Sequence, residues 1–372
     1  MPSSSSPFPT LTAEYILNFQ FSSWYPLFSS HSIKSTIVRP LPESFQAYLN
    51  EDGIFVPEGS EDAPAESTLS DDEAEEDADD DDDDDEEKRH YSFPALDARI
   101  RACVKEYGGV FSKLNFSSPR DAAWLLPASS PLKCFTPADV YLLLKSSDFI
   151  THDLSLERVE GTEEVGRKSK PAYELELVLR KWYSVDRGRE VRCFVRDGVL
   201  LGISQRDTNF YEFWNVPETQ QRVTTAVQDF WKEHIVPNWS GQPDCVFYSC
   251  SNRKLKHILS FLPDVFDFLL TRDLTRGHII DFNPYHPKTD PLLFTYDELH
   301  ALHQSRPNIP ELRVIDSASH PAATKNAPAH QHNMIPFEAL KMSSGQDIEE
   351  FADMWKESVR ESMKDDADDD DA

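Results

Sequence analysis

Residues 278–291 read HIIDFNPYHPKTDP, and within them Asp281 and Asn283 stand two apart at the end of an apolar run. Residues i and i+2 of a strand project to one side, so this spacing sends a carboxylate and an amide oxygen to one point. Pro284 ends the strand just beyond. The preceding run, DVFDFLL, supplies Asp267 across a hairpin. Three hard oxygens with no His or Cys among them suit Mg2+, which takes few protein ligands and completes its shell with water and phosphate. Solvated acids at strand ends are the plainer alternative, and a second set of residues argues against it. Lys113 in VFSKLNF, Lys181 in LRKW, Arg192 in EVRCF and Arg206 in SQRD all occupy strand-like positions in apolar surroundings. Arg192 faces away from the Val191, Cys193 and Val195 side. Cations on one sheet face opposite an acid pair supply what a nucleoside triphosphate needs, neutralisation for the phosphates and oxygens for the metal. No GxxxxGKS/T or GxGxxG occurs, so side chains from a sheet, rather than a P-loop, would hold the phosphates.

The elements that must position these groups are legible as alternating hairpins and helices. YELELVLRKWY (173–183) alternates as a strand, and GREVRCFVRDGVLLGISQRD (188–207) is a hairpin turning at Asp197–Gly198. VFDFLLTRDLTRGHIIDFNP is a second hairpin, and FTYDELHAL a helix after it. Leu96, Ile100, Cys103, Val104 and Tyr107 follow helical spacing over 95–107, which Gly108–Gly109 stop before the strand VFSKLNF. Thr136 with Pro137 opens a helix in TPADVYLLLKSS, ETQQRVTTAVQDFWKEHI is helical over 218–235, and LPESFQAYLNEDGI reads as a capped short helix ending at Gly53. This is the pattern of an α+β protein with an antiparallel sheet. Residues 245–264 are apolar without an obvious period and read either as an atypical insertion or as a translated intron. Residues 311–343 are expected to be a loop or linker, and 344–364 a helix whose stripe is Ile348, Phe351, Trp355, Val359 and Met363.

Composition narrows the classes of function. The net charge of −29 is concentrated in 71–87, with fifteen acids in seventeen positions, and in 365–372, with six. Setting those runs aside leaves −8 on the rest, too acidic a body for sequence-independent nucleic-acid binding. Residues 58–89 are expected to be a disordered insertion interrupting one domain, begun by 1–57 and continued by 90–310, and 365–372 an acidic tail. A chaperone of basic proteins working through these acidic runs ranks low, because such runs are usually solvating. Five scattered cysteines without a CxxC pair suit a reducing cytosol. With no signal peptide or membrane span in evidence, the chain is expected to be a soluble cytoplasmic monomer.

NFQFSSWYPLF, SIKSTIVRPLPESFQAYL, GGVFSKLNFSSPRDAAWL, ELVLRKW, EVRCFVRDGVLLGISQRD and IIDFNPYHPKTDPLLFTYDEL together resemble the cell division cycle protein 123 family over about residues 15–305, excluding the acidic insertion and 245–264. The resemblance implies an ATP-grasp-like fold, two lobes with antiparallel sheets clasping ATP. It also implies an assembly factor that binds the gamma subunit of translation initiation factor 2 and promotes its joining with alpha and beta. By motif position, Lys113 would meet the phosphates, with Asn115, Arg120 and Asp121 close by. Arg180, Lys181 and Trp182 would form the adenine-side hinge; Glu190, Arg192 and Arg206 would line the pocket; Asp267, Asp281 and Asn283 would hold Mg2+. The same site chemistry leaves open an ATP-dependent ligase or kinase acting on a protein. The aromatic stretch around Trp24 and Tyr25 is the expected partner-binding surface.

Overall fold

The computed structural model describes residues 7–9, 11–61, 90–127, 129–154, 173–239 and 264–324. By its contacts the chain divides into one unit of 1–207 with 211–314 and another of 208–210 with 315–372. The helices of the first unit are α1 (Ala13–Leu17), α2 (Phe21–Phe28), α3 (Glu43–Asn50), α4 (Pro94–Tyr107), α5 (Pro137–Lys145), α6 (Asp148–Leu154), α7 (Pro217–Phe230), α8 (Val236–Trp239) and α9 (Tyr296–Ser305). In the second unit, the described part holds a short helix, α10 (Pro321–Thr324).

Two sheets organise the first unit. The smaller has β1 (Ser35–Val38), β2 (Val110–Lys113) and β3 (Leu177–Lys181), all antiparallel with β3 central. The larger contains β4 (Glu190–Arg196), β5 (Val199–Gln205), β6 (Val265–Leu270), β7 (Gly277–Asn283) and β8 (Glu311–Arg313), in the order β7-β6-β4-β5-β8. Its two hairpins are antiparallel, but β8 pairs with β5 in parallel, so the larger sheet is mixed rather than purely antiparallel. Residues 311–313, expected within a linker, are this edge strand.

Local chemistry explains the boundaries. Pro94 opens α4, and Gly108 closes it at φ 74°, where its N–H reaches the Val104 carbonyl. Thr136 and Asp139 cap each other's backbone at the start of α5, as Thr295 and Glu298 do for α9. Asp197 and Gly198 both have positive φ, the requirement of the tight turn that matches strand twist between β4 and β5. Two expectations shift. The helix over LPESFQAYLNEDGI stops at Asn50 and has no side-chain N-cap, since Pro42 occupies that position. The 218–235 helix runs regularly only to Phe230 and then widens into a π turn over Trp231–Ile235.

One core packs α1, α2 and α7 on the larger sheet through Phe19, Phe21, Trp24, Phe28, Val227 and Phe266. A second packs α3, α4 and α5 on the smaller sheet through Phe45, Tyr48, Ile100, Tyr141, Leu177 and Leu179. Residues on both sides of the acidic run share this second core, and Glu58 bridges to Ser92. Residues 58–61, assigned by sequence to the acidic insertion, are therefore placed, with Ser60 buried. The acidic run itself, all of 245–264 except Asp264, the 344–364 helix and the acidic tail lie outside the described residues. Trp24 is buried in the first core, and the Tyr25 hydroxyl accepts from the Ser35 amide. Trp24 is thus a core residue closed to a partner, whereas Tyr25 is half-buried and Leu27 of the same helix is exposed. Among the described residues, no helix is long and apolar enough to cross a membrane.

Candidate functional site

Strand register draws one row across the larger sheet. Ser204 of β5 pairs with Arg192 of β4, Arg192 with Asp267 of β6, and Asp267 with Asp281 of β7. Alternation sends these four side chains to the face opposite Cys193 and Phe266. Arg192 grips Asp267 with two hydrogen bonds, Nε to Oδ1 at 2.7 Å and Nη2 to Oδ2 at 2.9 Å. Arg206, just past β5, lies 3.1 Å from Glu190 and 3.3 Å from Asp267. The Asn283 amide donates weakly to Asp267 Oδ2 at 3.4 Å.

The smaller sheet reaches the same place from its own strands. Lys113, at the end of β2, is completely buried and donates to Asp281 Oδ2 at 2.7 Å. Arg180 of β3 donates through Nη1 to the Ile280 carbonyl at 2.8 Å and through Nη2 to Ser32 Oγ at 3.3 Å. Its buried Nε has no hydrogen-bond partner among the described residues. The expected cations therefore come from two sheets, not from one sheet face, and β7 is where the two meet.

Between the sheets lies a cleft of about 610 Å³, within the range of small-molecule sites. Ten of the thirteen residues anticipated from sequence line it: Arg120, Arg180, Lys181, Trp182, Glu190, Arg192, Arg206, Asp267, Asp281 and Asn283. Lys113 reaches it only through Asp281. Asn115 and Asp121 do not line it. Asn115 is buried and bonds the backbone of Glu174 and Glu176, tying the start of β3 to the segment after β2. Asp121 accepts from Ser147 Oγ and from the Asp148 amide, so it anchors the first turn of α6. Sequence reasoning missed Arg187, Phe149, Tyr183 and Lys288, all of which line the cleft. Arg187 and Tyr183 lie in the connection between β3 and β4, where no periodicity marks direction, and Phe149 lies in the first turn of the short helix α6. Lys288 had a signal: it follows Asn283 by five residues, on the loop leaving the same strand.

The electrostatics follow from the geometry. Burial pushes the Asp267 carboxyl up, but the Arg192 and Arg206 guanidiniums outweigh it and hold the group well below the usual carboxylate range. Burial likewise opposes the charge on Arg192, and Asp267 overrides it. Arg180, paired only with neutral oxygens, is pulled down by burial. Repulsion from Arg206 lowers Arg120 to about 10. Along the walls, Arg120, Arg180, Lys181, Arg187, Arg192, Arg206 and Lys288 face only Glu190, Asp267 and Asp281. An excess of fixed positive charge inside a chain of net charge −29 marks a place for a multivalent anion. Among the described residues, no group of three or more His, Cys, Asp and Glu side chains is disposed to hold a metal. Two carboxylates and the Asn283 amide, all oxygen donors, form a partial set that suits a cation whose other ligands arrive with phosphate.

Comparison with known proteins agrees in extent. The chain is 34% identical over 359 residues to "Cell division cycle protein 123" of Yarrowia lipolytica, covering 95% of this chain and 85% of that protein. It is 34% identical over 364 residues to "Translation initiation factor eIF2 assembly protein" of Xenopus tropicalis, covering 95% and 98%. The solved structure of Cdc123 from Schizosaccharomyces pombe superposes with a TM-score of 0.59 at 31% identity, over 83% of this chain and 100% of that one. A family model described as D123 matches residues 24–343, spanning both sheets and the cleft, and the chain belongs to that family.

Proposed function

We propose that this chain is an ATP-binding assembly factor for translation initiation factor 2, acting in the cytoplasm and gripping the gamma subunit while the heterotrimer forms. Its relatives' names support the assembly role. The observation that carries the nucleotide reading is the charged row Arg192–Asp267–Asp281 with Lys113 and Arg180 converging on it from the other sheet. On this reading the two sheets are the lobes of an ATP-grasp-like fold. Lys113, Arg120, Arg192 and Arg206 would neutralise the phosphates. Asp281, Asn283 and Asp267 would offer oxygens to Mg2+, and Arg180, Lys181 and Trp182 would flank the adenine. Bound Mg-ATP supplies a compact polyanion with its own cation, against which both lobes can be charge-matched.

The buried Arg180 Nε without a partner and the excess of cations fit that group. The carboxylates are each already paired with a base, so a metal would share them rather than find them bare. The assembly role has a direct test. Immobilised gamma subunit should retain the wild-type protein in the presence of Mg-ATP and retain Asp281→Asn less well. No retention of the wild type would overturn the assembly reading, and equal retention of both would separate it from the nucleotide.

A further inference from the structure

The cations of the cleft differ in whether a hydrogen bond or an ion pair already engages them. Arg192 is hydrogen-bonded to Asp267 and the Asp290 carbonyl, Arg180 to Ile280 and Ser32 with its Nε left over, and Arg206 is ion-paired with Glu190 and Asp267. Arg120, Lys181 and Arg187 line the cleft without a side-chain hydrogen bond or ion pair among the described residues, and so does Lys288, which alone of these follows directly on the strand that carries Asp281 and Asn283. Lys288 lines it from an exposed turn.

A surface lysine on a turn is usually a mobile charge that positions nothing. This turn is held from several directions. The Thr289 amide donates to the His286 carbonyl at 2.8 Å, and Thr289 Oγ1 donates to the Pro284 carbonyl at 2.7 Å. The Lys288 amide itself donates to His286 Nδ1 at 2.9 Å. From α9, the Tyr296 hydroxyl lies 2.7 Å from the His286 carbonyl and 2.6 Å from that of Thr289, straddling the lysine. Arg192 Nη1, from the charged row, donates to the Asp290 carbonyl at 2.9 Å. Upstream, Tyr285 is buried and its amide donates to the Tyr15 hydroxyl. Such fixation removes in advance the ordering cost that a ligand would otherwise impose on the loop.

We infer that the loop 284–290 is a phosphate-reading element, and that Lys288 contacts the terminal phosphate of the nucleotide beside Asp281 and Asn283, giving the cleft a preference for triphosphate over diphosphate. The inference rests on the nucleotide reading above. Its added content is that an ammonium group on a pinned loop next to Asp281 and Asn283, rather than the cations elsewhere on the walls, discriminates the number of phosphates. The committed arginines contribute to both ligands alike, because their charges serve the whole anion.

Calorimetric titration of the full chain with Mg-ATP and with Mg-ADP tests it, using wild type, Lys288→Gln and Lys288→Arg. One charge-assisted contact corresponds to about tenfold in affinity. Lys288→Gln should therefore bind Mg-ATP about tenfold more weakly while Mg-ADP changes little, and Lys288→Arg should restore most of the difference. Thermal melting of the variants should match wild type, since the side chain is exposed. An unchanged ATP-to-ADP ratio in Lys288→Gln, with the wild type still binding, would overturn this inference and leave the nucleotide reading standing. Failure of the wild type to bind either nucleotide would overturn both.

Discussion

Two adjacent rows of the larger sheet, one residue apart in register, have opposite chemistry. The row Ile203–Cys193–Phe266–Phe282 is apolar from end to end and buried in the first core. The next row, Ser204–Arg192–Asp267–Asp281, turns to the cleft and carries two carboxylates and a guanidinium. Both rows are largely hidden from water, yet only the first gains from being hidden. Burial of the second must be offset by pairing, and the pairing is nearly complete: Arg192 with Asp267, Lys113 with Asp281. A fold seeking stability alone has no reason to build the second row. Its cost is the physical argument that the cleft is a site.

The largest effect should come from breaking that row at its centre. Asp267→Ala leaves Arg192 buried without its carboxylate and Arg206 with one partner fewer. Removing one member of a buried pair costs about 3–5 kcal/mol. Urea unfolding monitored by tryptophan fluorescence should show a loss of that size, with nucleotide binding abolished. A loss below about 1 kcal/mol would mean that the row is more hydrated than its packing indicates.

A smaller effect contrasts two buried aspartates only three residues apart on one strand segment. Asp267 is held below its ordinary range by two arginines, so its contribution is present above the unfolded value near 3.8 and fades as pH falls through its depressed folded value. Asp264 behaves oppositely. Burial raises it to about 7, partly countered by the Tyr15 hydroxyl at 2.7 Å and by Arg196, with Asp197 adding to the rise. A raised carboxyl stabilises the fold while protonated, so that contribution is present below about pH 4 and lost as pH climbs towards 7. In Asp264→Asn the slope disappears. Relative to this variant, wild type should lose on the order of 1–3 kcal/mol between pH 4.5 and 7.5 in denaturant titrations. Parallel curves for the two proteins would show that Asp264 is ionised throughout.

Most of the larger sheet could be read directly from residue order. Alternation through EVRC and the Asp197–Gly198 turn point to both the hairpin and the face on which Arg192 lies, although Phe194 breaks the alternation where the register shifts. The i, i+2 spacing of Asp281 and Asn283, with Asp267 opposite, was equally plain, because a hairpin makes partners of residues close in sequence. What escaped depends on distant packing. That Lys113 and Arg180 come from a second sheet to meet β7 follows from no local period, nor does the parallel pairing of β8 with β5 across more than a hundred residues. Asn115 and Asp121 were placed at the site by motif position, whereas their hydrogen bonds show them supporting β3 and α6. Trp24 misled for a simpler reason. Phe21, Trp24 and Phe28 follow helical spacing, which marks a core-facing stripe as readily as a binding face.

The smallest expected change in stability carries the sharpest test of the comparison between rows. Arg192→Met combined with Asp267→Leu replaces the buried pair with apolar side chains of similar bulk, making the second row resemble the first. Buried pairs exchanged in this way are often neutral or stabilising, because two desolvated charges leave together. Arg206 keeps Glu190 at 3.1 Å, so no new orphan charge of full size is created. The double variant should unfold within about 1 kcal/mol of wild type, well above Asp267→Ala, while its affinity for Mg-ATP collapses like that of the single variant. If the double variant proved as unstable as the single one, the charged row would be a structural requirement of this sheet. If it remained stable and still bound nucleotide, the charge on that row would not be what the cleft uses. Stability kept and binding lost is the result that assigns the row to ligand recognition, since it removes the charges while leaving the packing that the neighbouring apolar row depends on.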